Sequence, residues 1–274
     1  MAIISLPNGI GADLGDALAT AEPLLVNGDV WYVDSSNGDD TYDGRDRIKP
    51  FATLGQAVTD SSAGDIIVLK DGHAETLTAA IAVNKNLTIV GAGQSDGKPT
   101  VKLTNNQAAG EMLTITGSYV QVLNIWFEEQ AKTCSEAKIS ADCTHFRMRG
   151  CYLECDGNSG DSALKLAGTV VEIRNTTIIS TATALTAQPL AAVLVTGALG
   201  SLITDGFVVD GGTVGWSRYH GIDISAATIT MMYLEGLSLL RGTDLKALEA
   251  SGGYINAATV SGGARIDWCD IVAA

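Results

Sequence analysis

Apolar residues recur in register down the second half of this chain. Val122, Met148, Ile173, Ile203, Leu234 and Ile266 lie 26, 25, 30, 31 and 32 residues apart. Five residues after each comes a second large apolar residue: Phe127, Leu153, Ile178, Val208, Leu239 and Ile271. Two residues after each comes a small or turn-forming residue, Asn124, Gly150, Asn175, Asp205 and Gly236, until Trp268 breaks the pattern. A strand–turn–strand repeat of this length predicts a solenoid, in which no coil buries its apolar face alone. Like positions would stack about 4.8 Å apart along the axis.

A further short apolar stretch precedes each anchor, at 112–116, 137–140, 163–166, 192–195 and 221–225. Each coil is therefore expected to hold about three strands with bends between them. Asn and Gly suit the turn column because they tolerate positive φ. The longer spacings are expected to bulge out as loops at 181–190, 211–220 and 241–250. A doubly wound α/β fold would need alternating helical patterns, and the GAG at 91–93 does not open a dinucleotide-binding GxGxxG. An antiparallel sandwich would not require columns at one constant internal offset.

Composition agrees with a folded solenoid. Apolar residues are 46% of the chain and aromatics only 5%, so aliphatic side chains must fill the core. Net charge is −14, from 31 acidic and 17 basic residues, which opposes binding to a phosphate backbone. The same charge suits solubility or docking on a basic protein surface. Residues 1–28 carry no Lys or Arg and read as an arm, with a short helix expected around Ala12 to Ala21. Neither a secretory leader nor a transmembrane run is legible. Cys134, Cys143, Cys151, Cys155 and Cys269 lack metal spacing and are expected to be buried free thiols.

Four segments, WYVDSSNGDDTYDG, PFATLGQAV, GDIIVLKDG and LTIVGAG, are more specific. Together they resemble the opening of pectin-lyase-like right-handed parallel β-helix proteins, across roughly residues 29–93, and the columns carry the pattern onward. The resemblance implies an all-β, single-stranded right-handed parallel β-helix with a short N-terminal capping α-helix and an N-terminal arm. Residues 1–28 would be the arm and 29–274 the β-helix domain, with the cap at 29–64 and coils at 65–274. Phe51, Leu54, Ala57 and Val58 would form the buried face of the capping helix. The handedness comes from the resemblance alone.

Outward positions are where chemistry would sit. Glu128 and Glu154 fall on adjacent coils, and a close carboxylate pair could serve as nucleophile and acid/base in a retaining glycosidase. They are the catalytic candidates, although Ile179 and Val209 continue their column as apolar residues. Arg147 is expected beside Glu172, a surface ion pair worth about 0.2–1 kcal/mol. Arg149 and Arg174 would be neighbours of like charge, costly unless they face something acidic. Asp34, Asn37, Asp39, Asp40, Asp43 and Asp46 form an oxygen-rich loop that could hold Ca²⁺, or could simply satisfy its own backbone. Its ligand order departs from that of an EF-hand. His73, His145 and His220 have no triad partners in the sequence, and His145 reads as an exposed strand residue. Trp126, Trp216, Tyr219 and Trp268 could form a carbohydrate platform, but they belong to different coils or loops. The calcium-binding acids and basic catalyst of the family's lyases have no match here, nor do the paired aspartates of its polygalacturonase branch.

The resemblance extends to compact β-helix proteins of bacteriophage particles. It implies a non-enzymatic structural protein, an oligomeric capsid decoration or cement protein, located in the virion and assembled in the host cytoplasm. Its expected partners are further copies of itself, with a trimer as one arrangement, and a capsid or other virion protein. No nucleic acid, membrane or cofactor is expected. Ile271 lies three residues from the last residue, so the far end of the solenoid is expected to be covered by another subunit. The alternative is a tailspike-like polysaccharide depolymerase or glycan-binding β-helix using Glu128 and Glu154.

Overall fold

The computed structural model describes residues 28–107, 110–129, 139–155, 162–181, 191–210, 220–223, 229–235, 237–242, 255–256, 264–267 and 270–273. The chain winds as a parallel β-helix. One 13-stranded sheet carries the anchor strands, and an 8-stranded sheet forms the opposite wall. Every strand pairing described is parallel except a small hairpin, Gln94–Ser95 with Lys98–Pro99. The expected arm helix and the greater part of the three expected loops lie outside the described residues.

The anchor column is longer than the second half of the chain. Strand pairing runs it from Trp31 through Ile67, Ile89, Val122, Met148 and Ile173. Each of these side chains points inward and is buried. The opposite wall stacks Leu103, Phe127, Leu153 and Ile178 in the same way. Phe51, Phe127, Phe146 and Phe207 are the largest side chains among the fully buried. The stretches before the anchors do form strands, but three of them run straight into the anchor strand. Ile139–Arg149, Ser162–Arg174 and Ala191–Asp205 are continuous, with no break at the expected bend.

One slip corrects the predicted columns. Leu166 pairs with Val195, yet Gly168 pairs with Leu199, so two extra residues bulge out of the later strand. Beyond the bulge Ile173 faces Thr204 rather than Ile203, and Ile178 faces Val209 rather than Val208. The turn residue becomes Gly206 in place of Asp205. Asn124, Gly150, Asn175 and Gly206 all have positive φ, between 43° and 64°. The N–H groups of the first three bind the next coil, Asn124 donating to Arg149 O at 2.9 Å, Gly150 to Arg174 O at 3.1 Å and Asn175 to Asp205 O at 2.8 Å.

The slip also places Thr204 in the core, 0% exposed, with no hydrogen-bond partner for its Oγ1. Thr204→Val keeps the shape and removes the stranded hydroxyl. It should raise stability by about 1 kcal/mol, read as a higher denaturation midpoint. A lower midpoint would show that the hydroxyl is satisfied in solution.

The first coil is closed by the cap. Phe51 stacks on Trp31, ring centroids 5.8 Å apart, and leads into the helix Leu54–Asp60. Thr53 caps its first turn, and Leu54, Ala57 and Val58 are buried as expected. At the other end Lys85 Nζ donates to the carbonyls of Val58, Thr59 and Ser61 at 2.9, 2.9 and 2.6 Å. A cation there satisfies orphan carbonyls and complements the helix dipole. The outer edge of Val30–Val33 is covered by its own loop, through Tyr32 N–H to Gly44 O and Phe51 N–H to Tyr32 O.

Buried polar groups fasten these pieces together. Asp65 accepts from the indole of Trp31 at 2.7 Å, from Ser62 N–H at 2.7 Å and from Asp29 N–H at 2.8 Å. His73, buried, accepts Ser35 N–H on Nδ1 at 3.0 Å, so its proton sits on Nε2 and faces Glu75 at 3.2 Å. Glu75 in turn accepts the Leu54 N–H that opens the helix.

Candidate functional site

The outward face of the second wall, near the fourth and fifth coils, gathers the residues best equipped for chemistry. Lys102, Trp126 and Tyr152 share one outward column. Two positions on, Thr104 pairs with Glu128, and the same register sets Glu154 beside it. The expected neighbourhood of Glu128 and Glu154 is thus present. The residues around them do not show in the repeat columns. Lys102 Nζ lies 3.0 Å from Glu128 Oε1, and the Thr104 hydroxyl donates to Glu128 Oε2 at 3.0 Å. Lys98, on the small hairpin, stands 4.0 Å from Glu154.

The aromatic rings belong to the same cluster. Trp126 and Tyr152 meet edge to face with centroids 5.9 Å apart. Lys98 Nζ sits 4.0 Å above the ring of Tyr152 and 5.0 Å from that of Trp126, while Lys102 Nζ sits 4.1 Å over Trp126. Ammonium groups in these positions are attracted by the ring quadrupoles. They also occupy ring faces on which a sugar would stack. Trp216, Tyr219 and Trp268 lie outside the described residues.

Glu154 differs from its neighbour electrostatically. Burial pushes its pKa up, Lys98 pulls it back, and the charge of Glu128 raises it again. The indole N–H of Trp126 favours the carboxylate but closes no hydrogen bond with it. One carboxylate held by a lysine beside another whose pKa burial raises is an arrangement that acid–base work can use. Here, however, two lysines and two carboxylates largely neutralise one another.

A second cluster lies on the anchor sheet. Arg147 and Glu172 are register neighbours as expected, but the pair is not a surface one. Glu172 is 7% exposed and is gripped by Arg147 Nε at 3.0 Å and Nη2 at 3.3 Å. His145 Nε2 lies 3.1 Å from the same carboxylate and Arg174 Nη2 3.6 Å. His145 is therefore a partly buried partner of Glu172, with its ring 5.8 Å from that of Tyr119, and not a free strand residue. Arg149 does neighbour Arg174.

In the 34–46 loop each aspartate is occupied by neighbouring groups. Asp34 accepts from Ser36 N–H, Asn37 N–H and the Asn37 amide, and Lys70 Nζ lies 2.7 Å away. Asp39 serves Thr41, Asp43 serves Arg45 N–H and Asp46 serves Ile48 N–H. Asp40 reaches across to Ala52 N–H and Thr53. These bonds build Asx turns and tie the loop to the helix cap. Among the described residues no three His, Cys, Asp or Glu side chains converge as metal ligands. Cys143, Cys151 and Cys155 are buried thiols outside any disulfide. Burial pushes the Cys143 thiol up to about 11 and that of Cys151 to about 12, which disfavours the reactive thiolate.

Neither a protein-family model nor a curated protein sequence matches the chain. Among solved structures, the chain is similar to the crystal structure of pectate lyase Pel9A. The match has 13% identity, covers 90% of this chain and 80% of that one, and has a TM-score of 0.38. Among the described residues, no helix is long and apolar enough to cross a membrane.

Proposed function

We propose that this β-helix is a non-enzymatic structural protein of a bacteriophage particle, an oligomeric decoration or cement protein on the capsid. The observation that carries the non-enzymatic reading is the self-pairing of the outward cluster. Lys102 and Thr104 hold Glu128, Lys98 faces Glu154, and ammonium groups cover the rings of Trp126 and Tyr152. Groups satisfied by one another stiffen a surface and leave little to grip a substrate. The net charge of −14 supports docking on a basic protein surface. The particle itself is suggested by a likeness to compact β-helix proteins of bacteriophage particles.

The test is made on purified full-length protein and on the particles. Sedimentation should give a closed oligomer, mass spectrometry should find the chain in purified particles, and no polysaccharide in a neutral and acidic panel should be shortened. A stable monomer absent from particles would sink the proposal. The raised pKa of Glu154 beside Glu128 favours one second reading, a polysaccharide depolymerase. Release of reducing ends by the native chain, lost in both Glu154→Gln and Glu128→Gln, would replace the structural reading with that one.

A further inference from the structure

Alternation along the anchor strands sends every second residue outward, and stacking lines those residues up in columns. One column opens with Val68, Val90 and Leu123, apolar and only 5% to 7% exposed. It continues through Arg149 and Arg174, and there its sign reverses. Arg174 pairs with Asp205, and the same register sets Glu235 beside Asp205. Two bases are thus followed by two acids on successive coils. Both acids are exposed, and the arginines are partly so. Like charges adjoin in each half of this ladder, Arg149 beside Arg174 and Asp205 beside Glu235, which is unfavourable. Within the column only the junction of Arg174 with Asp205 brings opposite signs together. Arg149 and Glu235 are three coils apart, about 14 Å, too far to meet in one chain.

We propose that this face binds a second copy of the chain about a two-fold axis that runs along the strands, between the Arg174 and Asp205 rows. Such an axis lays the partner's column, reversed, on the same column. Arg149 then faces the partner's Glu235, Arg174 faces the partner's Asp205, and symmetry repeats both pairs. The ladder is self-complementary only in this reversed sense. A two-fold axis parallel to the solenoid would set it against the column of Tyr119, His145, Val170 and Ser201, which holds no carboxylate. The reversed arrangement also covers Met231, which pairs with Ser201 and is 49% exposed. Exposed ion pairs add little energy one by one, but opposed columns of charge fix orientation and reject other arrangements. The inference rests on the oligomeric part of the proposed function and gives it a surface and a symmetry.

Sedimentation of the full-length chain at low salt should give an oligomer with an even number of copies. Arg149→Glu and Glu235→Arg should each weaken its association at least about tenfold, because each puts two like-charge pairs into the interface. Arg149→Gln and Glu235→Gln, which only neutralise, should weaken it less and serve if a reversal does not fold. Mixed in equal amounts, the two reversed variants should associate within about threefold of the native affinity, since every pair across the axis again has opposite signs. Native affinity in either reversed variant alone would overturn the inference, as would a mixture that associates no more tightly than its parts. An odd-numbered oligomer indifferent to these charges would overturn it and leave the oligomeric reading standing. A monomer at every concentration would overturn both.

Discussion

Phe127→Ala should destabilise the β-helix by about 3–5 kcal/mol, seen as a large fall in the denaturant midpoint. Phe127 is fully buried, stacked between Leu103 above and Leu153 below. The cavity cannot close easily, since those neighbours are held at fixed spacing by their strands. Phe127→Leu should cost far less, about 1–2 kcal/mol, because much of the volume is retained. Tyr152→Ala gives the comparison, since that ring lies on the outside of the next coil and loses chiefly contacts with Trp126 and Lys98. If Phe127→Ala cost under about 1 kcal/mol, the column would not be a packed interior.

Glu172→Gln is the second large effect, a loss of about 2–3 kcal/mol by equilibrium denaturation near neutral pH. Removing one member of a fully buried ion pair costs about 3–5 kcal/mol, and the partners here are a quarter to a third exposed, which screens the penalty. Gln keeps the size but leaves Arg147 and Arg174 close together without the charge between them. A loss below about 0.5 kcal/mol would return the pair to the ordinary surface class.

The same carboxylate sets an acid limit. Burial alone would raise the Glu172 pKa, but the hydrogen bonds and charge of Arg147, with His145 and Arg174, outweigh it and the net direction is down. Asp34 behaves likewise: burial opposes ionisation, yet Lys70, Asn37 and Ser36 bring it from 3.8 to about 2. A lowered acid pKa contributes stability that is present above the unfolded value and lost as pH falls through the folded one. The Asp34 share, about 2 kcal/mol, should therefore disappear between roughly pH 4 and pH 2. A denaturation midpoint that stayed flat across that window would contradict the arrangement of Lys70 around Asp34.

Periodicity made the core legible and the site only partly so. Val122, Met148, Ile173, Phe127, Leu153 and Ile178 could be read as columns because parallel pairing forces like positions into register. Ile203 and Val208 were misassigned because a bulge between Val195 and Leu199 inserts two residues. A bulge leaves no fixed mark in spacing, since loop length changes the same number. Glu128, Glu154 and the Arg147–Glu172 pair were legible from the columns. Lys98 was not, because it arrives on an antiparallel hairpin outside the repeat. Lys102 was legible in principle, by extending the Trp126 column one coil back.

Sequence by itself determined that this chain stacks parallel coils, which residues line most of the interior, and which carboxylates become neighbours. Those facts follow from a strand period of two and a coil length that repeats. Only the tertiary structure decided what the neighbours do. It buried Glu172 among three basic groups, laid two lysines over the Trp126 and Tyr152 rings, and made an outward stripe at Val68, Val90 and Leu123 dry. The reason is physical. Register along a strand is a local property of the chain, whereas burial and charge pairing depend on what other segments bring to the same place.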